Sequence, residues 1–203
     1  YFQTSGVTSM SEGSAVAWNN NQVVVAGAFT EQLANSTLWK NPYGKSKGAK
    51  DIFVAAYSEG LQQFKWGKTF GGSGAELVKA IAIGPQNSIH ILGEFYSQDT
   101  VWGKHKGSIK GKGASEVYIA ELDKNNGDPL RLMTLGGSGS DMAGGIVFDS
   151  SGNQYVSVKT QKDFMANKTT ITPSNTGIDF SIITKFSDKK QWLWSEITEE
   201  GSV

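Results

Sequence analysis

The chain has 203 residues, a formal net charge of zero and no cysteine. Neutrality removes a global pull towards nucleic acid or membrane, and the missing thiols remove disulfides, thiolate metal sites and cysteine nucleophiles together. No apolar run approaches the roughly 20 residues that cross a bilayer as a helix, and 25 glycines among short apolar runs give the profile of an all-β protein. In chain order, Tyr1-Phe2-Gln3 reads as the tail of a protease site left by an expression tag, and residues 1–5 are set aside with it. Ala15–Trp18 reads as a first strand. Asn19-Asn20-Asn21 reads as a turn, since asparagine tolerates positive φ, and Gln22–Phe29 as a second strand apolar on both faces. A polar excursion from Thr30 to Lys50 follows, and Asp51–Tyr57 and Gln63–Phe70 are the third and fourth strands.

The same plan then returns. Ala80–Ile83, Ser88–Tyr96, Glu116–Leu122 and Leu130–Leu135 are four strands with an excursion from Ser97 to Ser115 between the second and third. Gly145–Phe148, Gln154–Val158, Asp179–Phe186 and Gln191–Ile197 are four more, with an excursion from Lys159 to Ile178. Phe70-Gly71-Gly72-Ser73-Gly74 recurs 65 residues later as Leu135-Gly136-Gly137-Ser138-Gly139. Ala15–Trp18, Ala80–Ile83 and Gly145–Phe148 keep the same spacing. A fixed period of this length marks stacked supersecondary units. The repeats are residues 6–70, 71–135 and 136–203, forming one continuous repeat domain.

Four short antiparallel strands per repeat is the plan of a β-propeller blade, with an open array of β-sheet repeats as the alternative. Trp18, Ile83 and Phe148 fall at one equivalent position and are expected in the core, as are Phe53, Tyr118 and a residue of Phe180-Ser181-Ile182. Three blades leave two apolar faces bare, more than a soluble monomer usually shows. Further blades, a second copy closing a two-fold ring, or capping by divergent terminal units are the three solutions.

These residues resemble the bacterial β-propeller repeat family known as SBBP. The matching motifs are Gly71-Gly72-Ser73-Gly74 with Ala80-Ile81-Ala82-Ile83 and Gly93, and Leu135-Gly136-Gly137-Ser138-Gly139-Ser140-Asp141 running on through Gly145–Val156. Asp51-Ile52-Phe53-Val54-Ala55 and Glu116-Val117-Tyr118-Ile119-Ala120 match the family's third strand. The resemblance covers essentially the whole chain. It implies an exported bacterial protein, periplasmic, on the outer surface or secreted, and no particular activity. Unit one departs from the pattern at Gly6-Val7, and unit three at Lys159, aligned with Gly93.

Repetition sorts the candidate residues, because a residue in every unit serves the scaffold and a residue in one unit is free for function. Asp51, Glu116 and Asp179 open strand three of each unit, as a ring of carboxylates or as acceptors for turn amides. His90, aligned with Val24 and Val156, reads as a packed histidine. Asp123–Asp128 and Asp149–Asn153 lack the ligand run and closing glutamate of calcium loops and read as turns. No nucleophile elbow, phosphate loop, metal cluster or catalytic constellation is present, and no cofactor is expected. The sharper signal is the pair of excursions, whose stretches Lys40–Lys50 and Lys104–Lys112 hold eight of the 19 basic residues and no acid, leaving a body of 11 basic and 19 acidic residues. Trp39, Lys40, Tyr43, Lys45 and Lys47 in the first, and Trp102, Lys104, His105 and Lys106 in the second, are the candidate ligand-binding residues. Aromatic faces suit sugar rings and ammonium groups suit carboxylates. The expected function is a non-catalytic binding module for a protein partner or an anionic surface polysaccharide. An enzyme acting on polysaccharide through Asp99, Asp141 and Glu94, and an architectural segment of a larger surface protein, are the alternatives.

Overall fold

The computed structural model describes residues 10–19, 21–31, 33, 45–61, 63–102, 105–109, 114–166, 169–172 and 179–200. Sixteen strands are formed among them, with single 3-10 turns at Glu59–Leu61 and Pro85–Asn87. β1 (Ser11–Asn19), β2 (Gln22–Phe29), β3 (Asp51–Ser58) and β4 (Phe64–Phe70) make the first antiparallel sheet in chain order. The second holds β5 (Glu76–Ile83) and β6 (Ile89–Phe95), then, after a hairpin of β7 (Thr100–Trp102) and β8 (His105–Ile109), β9 (Glu116–Leu122) and β10 (Pro129–Leu135). The third repeats this with β11 (Asp141–Phe148), β12 (Gln154–Thr160), a hairpin of β13 (Phe164–Ala166) and β14 (Thr169–Ile171), and then β15 (Phe180–Phe186) and β16 (Trp192–Glu200). The chain is thus an all-β array of three four-stranded antiparallel sheets. The expected strands all form, and the two small hairpins are added inside what read as polar excursions.

Strand alternation gives each sheet an upstream face, towards the preceding sheet, and a downstream face, towards the next. Val24, Ala26, Ile52, Val54 and Ala56 on the downstream face of sheet one pack with Ile89, Ile91, Tyr118, Ala120 and Leu122 on the upstream face of sheet two. Leu92, Val117 and Ile119 on the other side of sheet two pack with Val156, Val158, Phe180, Ile182 and Phe186 of sheet three. Sheet two is therefore apolar on both sides, as its near-continuous hydrophobic strands require. Phe53, Tyr118, Phe180 and Ile182 are buried as expected. Trp18 is not: it is 60% exposed, while its equivalents Ile83 and Phe148 are half-buried against a neighbouring sheet. The reason is positional, since no sheet among the described residues precedes the first.

Register corrects two alignments. Ile83 pairs with Ile89 and Phe148 with Gln154 across turns of equal length. His90 is therefore equivalent to Tyr155 rather than Val156, and Gly93 to Val158 rather than Lys159. Gly27 and Gly93 sit opposite an equivalent bulge in the first strand, where a Cβ would overlap the carbonyl oxygen of Glu12 or Leu77. In sheet three the small residues have moved to the partner strand, as Gly144 and Gly145 in the bulge of β11. Likewise Asp51 pairs with Phe29, Glu116 with Phe95 and Phe180 with Thr160. The third-unit equivalent of Asp51 and Glu116 is thus Phe180. Asp179 lies before the strand and forms an ion pair with Lys159.

Candidate functional site

The recurring Gly-Gly-Ser-Gly segments are the joints between sheets. At the first, the Gly72 amide donates to Glu76 Oε2 at 2.9 Å, and the Ser73 amide and hydroxyl both donate to Asp99 Oδ1, at 2.8 and 2.7 Å. Ser97 Oγ receives the Gly74 amide at 2.7 Å and donates in turn to Glu76 Oε1, which also accepts from Thr100 Oγ1 at 3.0 Å. The second joint repeats the scheme with Gly137 on Asp141 at 2.9 Å and Ser138 on Asp163. Glycine is required here because backbone amides must close on a carboxylate; a Cβ at Gly71 would overlap the Asp51 carboxyl, and one at Gly136 that of Asp141. Burial pushes the carboxyls of Glu76, Asp51 and Asp141 above the usual carboxylate range. The serine donors hold Asp99 and Asp163 below it. Replacing Glu76 with alanine strands three buried donors and is expected to cost about 3 kcal/mol, against about 1 kcal/mol for Glu76→Gln, which keeps an acceptor. Urea unfolding of the two variants measures this.

These joints consume the carboxylates of the enzyme alternative. Asp99 belongs to the first joint and Asp141 to the second, while Glu94 accepts the Ala143 amide at 2.9 Å. Asp149 is held the same way, receiving the Ser151 and Asn153 amides within its own turn.

The excursion residues divide. Trp39, Lys40, Tyr43 and Lys104 lie outside the described residues. Lys45 and Lys47 are exposed, and the Lys47 amide donates to Asp51 Oδ2 at 3.1 Å. His105 and Lys106 open β8, with His105 paired to Trp102. Trp102 itself is no ligand platform. It is fully buried at the first joint, stacked on Phe70 at 4.5 Å and tilted against Tyr118 at 4.9 Å.

Among the described residues, a site with ligand-sized dimensions lies elsewhere. A cleft of about 660 Å³ opens between β10 and the β15–β16 turn, lined by Glu116, Arg131, Met133, Thr134, Met165, Phe186, Lys190, Gln191 and Trp192. Arg131 Nη2 donates to the Lys190 carbonyl at 3.2 Å, spending one of the five donors in its guanidinium fork. Lys190 Nζ lies 4.7 Å from the Phe148 ring centroid. Burial holds Lys190 below the ordinary lysine range, with Arg131 adding to the shift and Glu121 and Asp188 opposing it. The Trp192 indole is pinned by donation to Ser195 Oγ at 2.8 Å, and that hydroxyl continues to Thr184 Oγ1 at 2.7 Å. The ring is therefore oriented before any ligand arrives.

Lys190 carries a second mark. The turn between third and fourth strands places Gly60 at φ +79°, Gly127 at +72° and Lys190 at +61°. Glycine enters that region freely, whereas a lysine there costs about 1 kcal/mol or more. Strain retained at a cleft-lining cation is a pointer to function.

Behind the cleft, a cavity of about 10 Å³ shares Arg131, Met133 and Lys190 and is lined also by His90, Glu121 and Gln154. His90 Nδ1 and Gln154 Nε2 are buried without a hydrogen-bond partner among the described residues. Ser88 Oγ donates to the Pro85 carbonyl at 3.0 Å and lies 2.9 Å from His90 Nε2. The hydroxyl thus has its acceptor side left for Nε2–H, which makes Nδ1 a bare acceptor. Burial first, then Lys190, lowers the His90 pKa to about 3, so the ring is neutral. One unpaired acceptor and one unpaired donor lining a space of this size match a single buried water molecule.

No family model and no curated protein matches the chain. No helix among the described residues is long and apolar enough to cross a membrane.

Proposed function

We propose that the chain is a non-catalytic binding module that takes an anionic polysaccharide in the cleft between sheets two and three. The observation that carries this is the convergence of Arg131 and Lys190 with the pinned Trp192 ring on one cleft. Guanidinium and ammonium groups recognise carboxylate or sulfate, and an oriented indole recognises the face of a sugar ring. In this reading the module belongs to an exported bacterial β-propeller of the SBBP kind, at the periplasm, outer surface or outside the cell, and works without metal or cofactor. The lysines of the two excursions serve as a secondary cationic contact for the same polymer.

Isothermal titration with a polygalacturonate oligomer, a neutral glucan and an acidic peptide tests it. The polyuronate is expected to bind, and Arg131→Ala to weaken it about tenfold, the loss of one charge-assisted contact. Equal binding of the neutral glucan, or an Arg131→Ala titration unchanged from wild type, contradicts the reading. Preference for the acidic peptide turns it to a protein partner, and release of reducing ends from the polymer turns it to an enzyme.

A further inference from the structure

The two joints share one plan, and the first is sealed at its outer edge by an indole. By register Trp66 on β4 is equivalent to Arg131 on β10, since Ala56 pairs with Trp66 and Glu121 with Arg131. Trp66 is 6% exposed. Its Nε1 donates to the Lys124 carbonyl at 3.0 Å, and its ring lies on Gly127, where a Cβ would come to 2.5 Å from two ring carbons. In the second joint both members of this plug are exchanged. Arg131 stands for Trp66 and Lys190 for Gly127, each of the latter two directly preceding the residue that closes its turn. The small hairpins add another difference. The bridges Gly71–Val101 and Gly136–Met165 make Trp102, stacked on Phe70, equivalent to Ala166. Two indoles of the first joint are thus matched by a guanidinium and a methyl group, and the cleft of about 660 Å³ lies in their place.

The cations of this cleft sit at one end. The cleft follows β10 from Arg131 to Gly136, about 17 Å at the rise of a strand. Arg131 and Lys190 share the turn end, held together by the hydrogen bond between guanidinium and carbonyl, with Glu121 and Asp188 as the neighbouring acids. The Trp192 ring adjoins them. Towards the far end the lining is Met133, Thr134 and Met165, and the remaining charged lining residue among those described, Glu116, is an acid beside Gly136. An anionic group at the turn end gains two charge-assisted contacts. A second one farther along meets neutral wall and then a carboxyl group.

Resting on the reading of the cleft as a glycan site, we propose that it takes a single acidic sugar, seated on Trp192 with its carboxylate between Arg131 and Lys190, and neutral sugars along the remainder. The ligand class is a polysaccharide whose acidic sugars are spaced by neutral ones. The acidic ring takes the place that the Trp66 indole has in the first joint, and the neutral rings lie along the methionine wall. A polymer charged at every residue brings to the far end a carboxylate that finds no cation among the described lining residues.

Isothermal titration with three oligogalacturonates of one length tests this: one with every carboxylate free, one with a single free carboxylate and the others methyl-esterified, and one esterified throughout. The singly charged oligomer is expected to bind at least as tightly as the fully charged one, with an equally shallow salt dependence, and the neutral oligomer about tenfold more weakly. Arg131→Trp with Lys190→Gly rebuilds the seal of the first joint, and is expected to abolish binding without lowering the melting temperature. Arg131→Gln, a smaller change, should shrink the gap between the singly charged and neutral oligomers. A fully charged oligomer that binds tenfold more tightly than the singly charged one, or with a steeper salt dependence, overturns the single acidic sugar and leaves the cleft a glycan site. Equal affinity for the singly charged and neutral oligomers, or binding of none of the three, overturns it together with the reading it rests on. A folded double variant that still binds, or a gap unchanged by Arg131→Gln, overturns it as well.

Discussion

Gly93→Ala is expected to destabilise the fold by about 3 kcal/mol or more, although it adds a single methyl group. At this position a Cβ overlaps the Leu77 carbonyl oxygen and the Tyr118 hydroxyl. Neither yields easily: the carbonyl belongs to the adjacent strand and accepts the Tyr118 hydroxyl at 2.9 Å. Overpacking usually costs about 1–3 kcal/mol, and a clash with backbone belongs at the upper end. Tyr118 is fully buried at the joint between sheets one and two, so the strain passes directly into sheet stacking. Gly145→Ala, by contrast, meets only Ser157 Oγ at an ordinary 3.7 Å and should be nearly neutral. Chemical denaturation of both variants checks the contrast. A Gly93→Ala protein as stable as wild type would contradict the bulge register described for β5 and β6.

The second large effect is pH dependence through His90. Its pKa falls to about 3 in the folded chain from an ordinary 6.5, mainly because burial disfavours the charged ring. Between those values the unfolded chain holds a proton that the folded chain refuses. His90 therefore contributes stability that is fully present above pH 6.5 and is lost as pH falls towards 3, at about 1.4 kcal/mol per pH unit. Glu76, Asp51 and Asp141 act in the opposite sense, since their raised pKa values favour the folded chain as they protonate. The difference between wild type and His90→Gln cancels those groups. Urea unfolding at pH 7, 6, 5 and 4 should show that difference shift by about 1.4 kcal/mol for each unit below 6.5. A constant difference would mean that His90 is protonated in the fold.

The repeat and its strands were legible because alternation and turn chemistry are local. Gln22–Phe29 and Glu116–Leu122 form with the bounds read from sequence. First strands were read too short because their opening residues look like loop. Glu76 and Asp141 are buried carboxylates inside strands, held by glycine amides that no local pattern reveals. The third unit was misaligned by one residue where Gly144 and Gly145 take over the work of the missing strand-two glycine. Trp18 and Trp102 exchanged roles for a tertiary reason. An alternating strand shows which face is apolar but not whether a neighbouring sheet covers it. The cleft was not anticipated, since Arg131 is 59 residues from Lys190 in sequence and meets it and Trp192 only through sheet stacking. One signal was nevertheless present. Lys190 directly precedes the residue that closes its turn, where the second unit has Gly127, at a positive φ that favours glycine.

The most direct measurement is a proton–nitrogen correlation titration of the isotope-labelled chain with the polygalacturonate oligomer. Binding in the cleft predicts shifts concentrated at Arg131, Met133, Lys190, Gln191 and the Trp192 indole, with His90 responding behind them. Shifts confined to residues 45–50 and 105–109, or none at saturating oligomer, would contradict the cleft as the binding site.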